Sequence, residues 1–262
     1  MIQESKIVLY KALENIHPGS GKRGYGCDLS LQRDIILNIP KIYSTVLKAG
    51  IIENNKNKSR DISVSDGRLL FYPISGIKNL YYNVTSIDIL VRFFEDIDFH
   101  IEFNGVKCKH IKSKLTSILK RISDYELSMG RYLSKNKIKN YINLDGHSFF
   151  KKQNLELGRL ISNFINNILN LKLDNIIILS QSDFVGLVNF STHKINRIKI
   201  KSKDNKKNGD LFSQEFISSK ALFYNGIFLK KKTKLFLKNI CIGGNKALGK
   251  GKMSLKELDL SE

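Results

Sequence analysis

Two glycine-rich, cationic stretches hold the residue types best able to do chemistry. The first runs HPGSGKRGYGCD over 17–28, with glycines at 19, 21, 24 and 26, Lys22 and Arg23 between them, His17 in front and Asp28 closing it. Glycines let backbone N–H groups approach a phosphate, and the two cations add charge. A carboxylate at the edge of such a loop can hold a metal ion or steer an attacking hydroxyl. Asp28 can equally cap a helix that starts just after it, and spacing alone favours that cap. A lone histidine such as His17 is more often structural than catalytic. The second stretch, GGNKALGKGKMSL over 243–255, contains Gly244 to Lys250 in the order G-x-x-x-x-G-K. Gly251 stands where a nucleotide-binding loop needs Ser or Thr for magnesium, so ATP hydrolysis is not expected. With Gly243, Gly249, Lys246, Lys250 and Lys252 the segment still suits an anion, or it is a glycine-rich hairpin turn.

Other chemistries lack their residues. His100, His110, His147 and His193 show neither HExxH nor HxxxH spacing, and Cys108-Lys-His110 is too short for a zinc site without partners. No G-x-S-x-G is present, so a hydrolase triad has no support. The cysteines are Cys27, Cys108 and Cys241, an odd set without C-x-x-C, which argues against a disulfide framework and for a reducing cytoplasm.

The elements that must position these groups are read from periodicity. Residues 5–13 read as a strand, and 31–52 as two helices broken at Pro40, the first ending by Ile39 and the second starting near Tyr43. Residues 68–74 and 79–84 read as strands, and Ser86 as the N-cap of a helix with Ile87, Leu90, Val91 and Phe94 on one face. Residues 155–172 have the clearest helical period, and Ile176–Leu179 is a buried strand. Residues 194–202 alternate apolar and basic, 203–210 form a charged tip, and LFSQEFI returns, giving a long basic hairpin. Residues 234–242 alternate again. Residues 97–150 give no clear pattern. The sum is α+β with mainly antiparallel sheet, as in ferredoxin-like folds.

The composition fits a polyanion partner. The chain has 262 residues, 44 Lys+Arg against 24 Asp+Glu, and a formal net charge of +20, with 42% hydrophobic residues to build a core. Nucleic acid is the first partner class for such a charge, an anionic membrane surface the second. The richness in Lys, Asn and Ile is also what an AT-rich genome produces. No apolar run spans a bilayer, and the N-terminal residues lack the apolar core of a secretion signal.

The run HPGSGKRGYGCDLSLQRDIILNIPKIYSTVLKAG, 17–50, resembles the N-terminal signature of the fourth Cmr subunit of type III-B CRISPR effector complexes, RAMP-superfamily backbone proteins of the Cas-seven type. Three further stretches are similar to that family in the same order: 69–93, 183–224 and 242–255. About 97–150 has no counterpart. The resemblance implies one RAMP domain over 1–262: a ferredoxin-like (RRM-like) core with a protruding thumb β-hairpin at about 190–217, helical insertions, and a variable insertion at about 97–150. It implies stacking of copies along CRISPR RNA and cleavage of complementary, single-stranded target RNA by a metal-dependent endoribonuclease activity. Other Cmr subunits, among them the large polymerase-like and the small helical one, would be partners, and no membrane.

Residue by residue, the resemblance implies that Asp28 is catalytic and holds a divalent ion (Mg2+ or Mn2+), with His17 and Glu215 beside it. Lys22, Arg23, Lys48, Arg197, Gly243, Gly244, Lys246, Gly249, Lys250 and Gly251 would contact RNA. The chain departs from the family pattern at Gln214 and Phe216, where Glu and Tyr are usual, at Ser44 and Ala49, where glycines are usual, and at Ile51–Ile52, where an Arg is usual. These departures keep a second reading open, a structural RNA-binding RAMP subunit of a type III effector without nuclease activity.

Overall fold

The computed structural model describes residues 2–23, 26–55, 61–105, 109–135, 140–151, 155–170, 173–203, 206–230, 235 and 239–260. In chain order the elements are β1 (Ile2–Ala12), α1 (Ser44–Asn55), β2 (Ile62–Val64), β3 (Arg68–Ile74), β4 (Tyr82–Ser86), α2 (Ile87–Phe103) and α3 (Lys109–Ser123). They continue with β5 (Arg131–Leu133), β6 (Tyr141–Leu144), β7 (His147–Lys151), α4 (Leu155–Leu169), β8 (Ile176–Leu179) and α5 (Gln181–Phe190). The last are β9 (His193–Lys203), β10 (Lys206–Phe216), β11 (Leu222–Lys230), β12 (Ile240–Cys241) and β13 (Lys252–Glu257).

One mixed sheet organises the chain, in the order β12-β13-β1-β11-β3-β4-β8-β5-β7-β6 with β2 also on β11. Its pairings are antiparallel except β4–β8 and β5–β7. The four apolar residues of β8 are all buried, the pattern of a strand covered on both faces. Ser86 ends β4 and caps α2, its Oγ accepting from Ile89 N at 3.3 Å. The cap turns the chain so that Ile89, Leu90, Phe93, Phe94, Ile97 and Ile101 bury one stripe. Phe93 meets Tyr224 of β11 edge-on at 4.7 Å between ring centroids, tying helix to sheet. The basic hairpin β9–β10 forms a separate two-stranded sheet with unbroken register from Phe216↔His193 to Lys206↔Lys203. Among the described residues no helix is long and apolar enough to cross a membrane.

The structure corrects two expectations and fills in what the pattern left open. Residues 31–39 are not helical. They form a turn between the bridges Gly19↔Leu31 and Arg33↔Pro40. Asp34 Oδ1 accepts from both Ile36 N and Leu37 N at 3.0 Å, and Asn38 adopts φ 53, so a side chain takes the N–H groups that a helix would use. Asp28 therefore caps no helix. The unreadable 97–150 stretch resolves into the end of α2, then α3 and β5 to β7, and α5 was not anticipated. Of the strand expected at 234–242, Ile240–Cys241 is present, while 231–234 and 236–238 lie outside the described residues.

Truncating the buried Phe93 to Ala should lower the unfolding free energy by about 3–5 kcal/mol. Ile36→Ala, at a side chain 90% exposed, should change it by less than about 0.5 kcal/mol. Denaturant unfolding with equal m-values checks both.

Candidate nucleic-acid interface

Strand β10 is the bench on which the first glycine loop is mounted. Leu29 N donates to Ser213 O at 3.0 Å and Glu215 N donates to Leu29 O at 3.1 Å, a short parallel ladder. Ser213 and Glu215 share one face of the strand by the two-residue alternation. Ser213 takes Asp28: its N and Oγ donate to Asp28 Oδ2 at 3.0 and 3.1 Å, and its Oγ accepts from Asp28 N at 3.0 Å. Glu215 takes the next turn of loop. Its Oε2 accepts from Leu31 N at 3.1 Å and its Oε1 from Arg33 Nη2 at 3.2 Å. Its backbone oxygen accepts from His17 Nδ1 at 2.7 Å, which fixes the proton on Nδ1. Two strand residues, Ser213 and Glu215, thus hold the loop along its length.

These bonds set the charges. Hydrogen bonds from the Ser213 amide and hydroxyl hold the Asp28 carboxyl below the usual carboxylate range, and the Arg23 guanidinium, 3.9 Å from Oδ1, adds to this. Asp28 is therefore an anion at neutral pH, half-exposed among cations. Burial pushes His17 below its ordinary value, against the opposing pull of Glu215, so its ring is neutral. That ring lies 5.7 Å from the Phe216 ring, and the Arg197 guanidinium covers the other ring at 5.3 Å.

The second glycine loop closes onto His17. Gly244 N donates to His17 O at 3.0 Å, and a Cβ at Gly243, where φ is +75°, would stand 2.4 Å from that same oxygen. Arg197 Nη1 donates to Asn245 Oδ1 at 3.0 Å, tying hairpin to loop. The loop is a β-hairpin connection, because β12 pairs antiparallel with β13 through Ile240↔Met253. Only a single 3-10 turn, Lys246–Leu248, interrupts it, so the glycine-rich turn is observed and no nucleotide-binding loop. Helix α1, which carries Lys48, packs on it: a Cβ at Gly50 would meet Ile242 Cγ2 at 3.0 Å, and Glu53 Oε2 lies 3.5 Å from Lys246 Nζ.

His17 thus touches Glu215, Gly243 and Gly244 directly, while Asp28 is joined to them through Ser213 of β10 and Arg197 through Phe216 and Asn245. Lys22 and Arg23 are exposed on the same loop, and Gly249, Lys250 and Gly251 complete the second. Gln214, 2% exposed, and Phe216 are buried, so these two of the departures from the family pattern sit beneath the surface. Sequence reasoning missed Ser213, Arg33 and Asn245, which hold the site. Ser213 carried only the weak signal of lying two residues before Glu215.

A metal ion finds few protein donors. Among the described residues no group of three or more His, Cys, Asp or Glu could hold one. Both Glu215 oxygens are engaged and Asp28 Oδ2 is taken by Ser213, which leaves Asp28 Oδ1. That donor set fits an ion whose other ligands are water and phosphate oxygens, as Mg2+ commonly has.

Comparison with known proteins bears on the fold. No family model matches the chain. It is 26% identical over 283 residues to the CRISPR system Cmr endoribonuclease Cmr4 of Pyrococcus furiosus, covering 92% of each chain. Oligomeric Cmr4 from Pyrococcus furiosus superposes with a TM-score of 0.70 at 21% identity, covering 99% of this chain and 100% of that one. A chain of the type III-B Cmr-beta complex bound to cognate target RNA gives 0.76 at 18% identity, with 98% of both covered. The resemblance to Cmr4-type RAMP subunits extends over nearly the whole chain, and the fold is theirs.

Gly243→Ala, which adds both a clash with His17 O and a strained φ, should destabilise by about 2 kcal/mol or more, whereas Gly249→Ala, with open space around its Cβ, should cost about 1 kcal/mol. Arg33→Ala leaves the buried Glu215 carboxylate without its cation and should cost about 1–3 kcal/mol. Thermal and denaturant unfolding check these. The lowered pKa of His17 means that the unfolded chain takes up its proton more readily. Its contribution to stability is complete above about pH 6.5 and declines as pH falls below that. His17→Gln should flatten this acid decline.

Proposed function

We propose that the chain is a backbone subunit of a type III-B (Cmr) effector that binds CRISPR RNA in the cytoplasm and cleaves complementary target RNA. The supporting observation is Asp28, an ionised carboxylate pinned by Ser213 at the meeting point of two glycine loops and a basic hairpin. The similarity to a protein named as the Cmr endoribonuclease supports the same reading. Guide phosphates lie along Lys22, Arg23, Lys48, Arg197, Lys246 and Lys250, with the open backbone of Gly249 and its neighbours allowing close approach. Sequence is read by guide pairing, so no base-reading side chains are required.

Cleavage uses a nucleophile already in the RNA. The 2′-hydroxyl attacks the adjacent phosphorus and gives its proton to water, the 5′-oxygen leaves and takes a proton from water, and a 2′,3′-cyclic phosphate and a 5′-hydroxyl result. The protein must hold the strand in line and manage charge. The hairpin β9–β10 acts as the thumb that splays the paired strands. Asp28, with its lowered pKa, is a weak proton acceptor, so its part is not to take the proton but to hold positive charge beside the splayed phosphate, which a bare carboxylate would repel. A divalent ion at Asp28 Oδ1 supplies positive charge against the reacting phosphate when bound. His17 has Nδ1 committed to Glu215 O and its ring against Phe216, so it positions the loop, and Glu215 is likewise a positioning residue. Further copies and the other Cmr subunits complete the assembly.

Reconstituted with CRISPR RNA and the other subunits, Asp28→Ala should abolish target cutting in Mg2+ or Mn2+ while target binding stays within about twofold. Cutting that persists at every site would leave a purely structural RNA-binding role. Ser213→Ala removes the hydroxyl's hydrogen bond to Asp28 and keeps the amide's, so it should move the acid limb of the cleavage profile modestly to higher pH. Removing Lys48, Lys246 or Lys250 should weaken binding without changing sequence preference and reduce the salt slope by about one each.

A further inference from the structure

The turn that replaced the expected helix holds Ile35 and Ile36 95% and 90% exposed. It is rigid: besides the Asp34 cap, Asp34 N donates to Ile39 O at 2.9 Å and Arg33 Nη1 to Asn38 O at 3.0 Å. Two adjacent isoleucines held this far into solvent on a braced turn are an apolar knob. Asp34 Oδ2 lies 3.8 Å from Arg92 Nη1 on α2, and Asp88 and Glu95, exposed on the same stripe of that helix, make no ion pair among the described residues. The knob is therefore bordered by carboxylates, on a chain whose formal charge is +20.

A complementary surface lies elsewhere on the molecule. Between α3 and α4 runs a groove of about 340 Å3 with Ile118, Leu160 and Phe164 as floor and Lys114, Ser117 and Asn163 at the rim. Helix α3 has no acidic side chain, and its exposed face carries Lys112, Lys114, Lys120 and Arg121. Lys114 and Lys120 make no ion pair among the described residues. An apolar knob with acidic flanks and an apolar groove with a basic rim match in both shape class and sign of charge.

We infer that the Ile35–Ile36 knob of one copy seats in the α3–α4 groove of the next, with Asp88 and Glu95 facing Lys114 and Lys120. Knob and groove are different patches, and in a stack of copies each knob enters the next copy's groove head to tail; the doubly substituted chain below separates this from a reciprocal two-fold pairing, which would stop at a dimer. The α3 wall of the groove falls within 97–150, the stretch without family counterpart, and the α4 wall lies just after it, so the contact gives part of that stretch a role. The contact also reaches the cleavage loop, because Arg33 holds both the knob turn at Asn38 O and Glu215 Oε1. The inference takes from the proposed function only the stacking of copies.

Full-length Ile36→Cys mixed with full-length Ser117→Cys and oxidised, both free and loaded with CRISPR RNA, should give a covalent dimer beyond that seen with either variant or the parent alone. Both substitutions in one chain should give a ladder. In sedimentation velocity, Ile35→Asp/Ile36→Asp should shift self-association at least tenfold to higher concentration with an unchanged melting temperature, and Lys114→Glu should do the same from the other side. No dimer above the controls in either state, or an unshifted midpoint in the knob variant, overturns the contact. None of these readouts measures RNA affinity or cutting, so their failure is distinct from a failure of Asp28→Ala.

Discussion

The pairing of the 17–33 loop with residues 213–215 of β10 is the constraint on which the rest of the site depends. A loop of four glycines and two exposed cations has little reason of its own to keep one shape, since glycine loses more backbone freedom than any other residue on ordering. Ser213 and Glu215 remove that freedom at two points separated by one pleat. The ladder through Leu29 sets the register between them. A slip of one residue would turn Ser213 and Glu215 to the opposite face and release Asp28, Leu31 and Arg33 together.

The same contacts reconcile a charged surface with a folded chain. The cations lie on glycine loops and on a hairpin, which are the parts least able to bury apolar area. Each loop is tied down by a neutral or anionic group of the protein: Glu215 for Arg33, Asn245 for Arg197, Glu53 for Lys246. The core beneath is built without charge from β8, β4, β11 and the buried stripe of α2. Part of the positive charge thus lies where a phosphate backbone can neutralise it, and the half-exposed carboxylate of Asp28 beside Arg23 stays ionised because Ser213 stabilises the anion.

The regular elements were legible because their residues meet a single demand. The β-branched run Ile176–Leu179 is buried on both faces, and 155–169 repeats its apolar residues at helical spacing. Residues 31–39 misled because their apolar spacing suits a helix while Asp34, Asn38 and Pro40 favour a turn, and the turn chemistry prevailed. The candidate groups His17 and Asp28 were visible through type and family likeness. Their partners were not: Ser213 lies 185 residues from Asp28, and a serine on a strand announces nothing about what it will bind. The metal expectation met a donor set of a single free carboxylate oxygen, which spacing alone could not reveal.

The central claim is that the charge on Asp28, not merely the shape of its loop, performs the cut. Asp28→Asn keeps an acceptor for Ser213 and removes the charge, so it separates the two. Single-turnover cleavage of guide-paired target RNA by the reconstituted complex is the direct measurement. The account predicts a rate reduced at least a hundredfold at every cut site, with guide and target affinity unchanged. Cleavage by Asp28→Asn at the rate of the unaltered protein would contradict it.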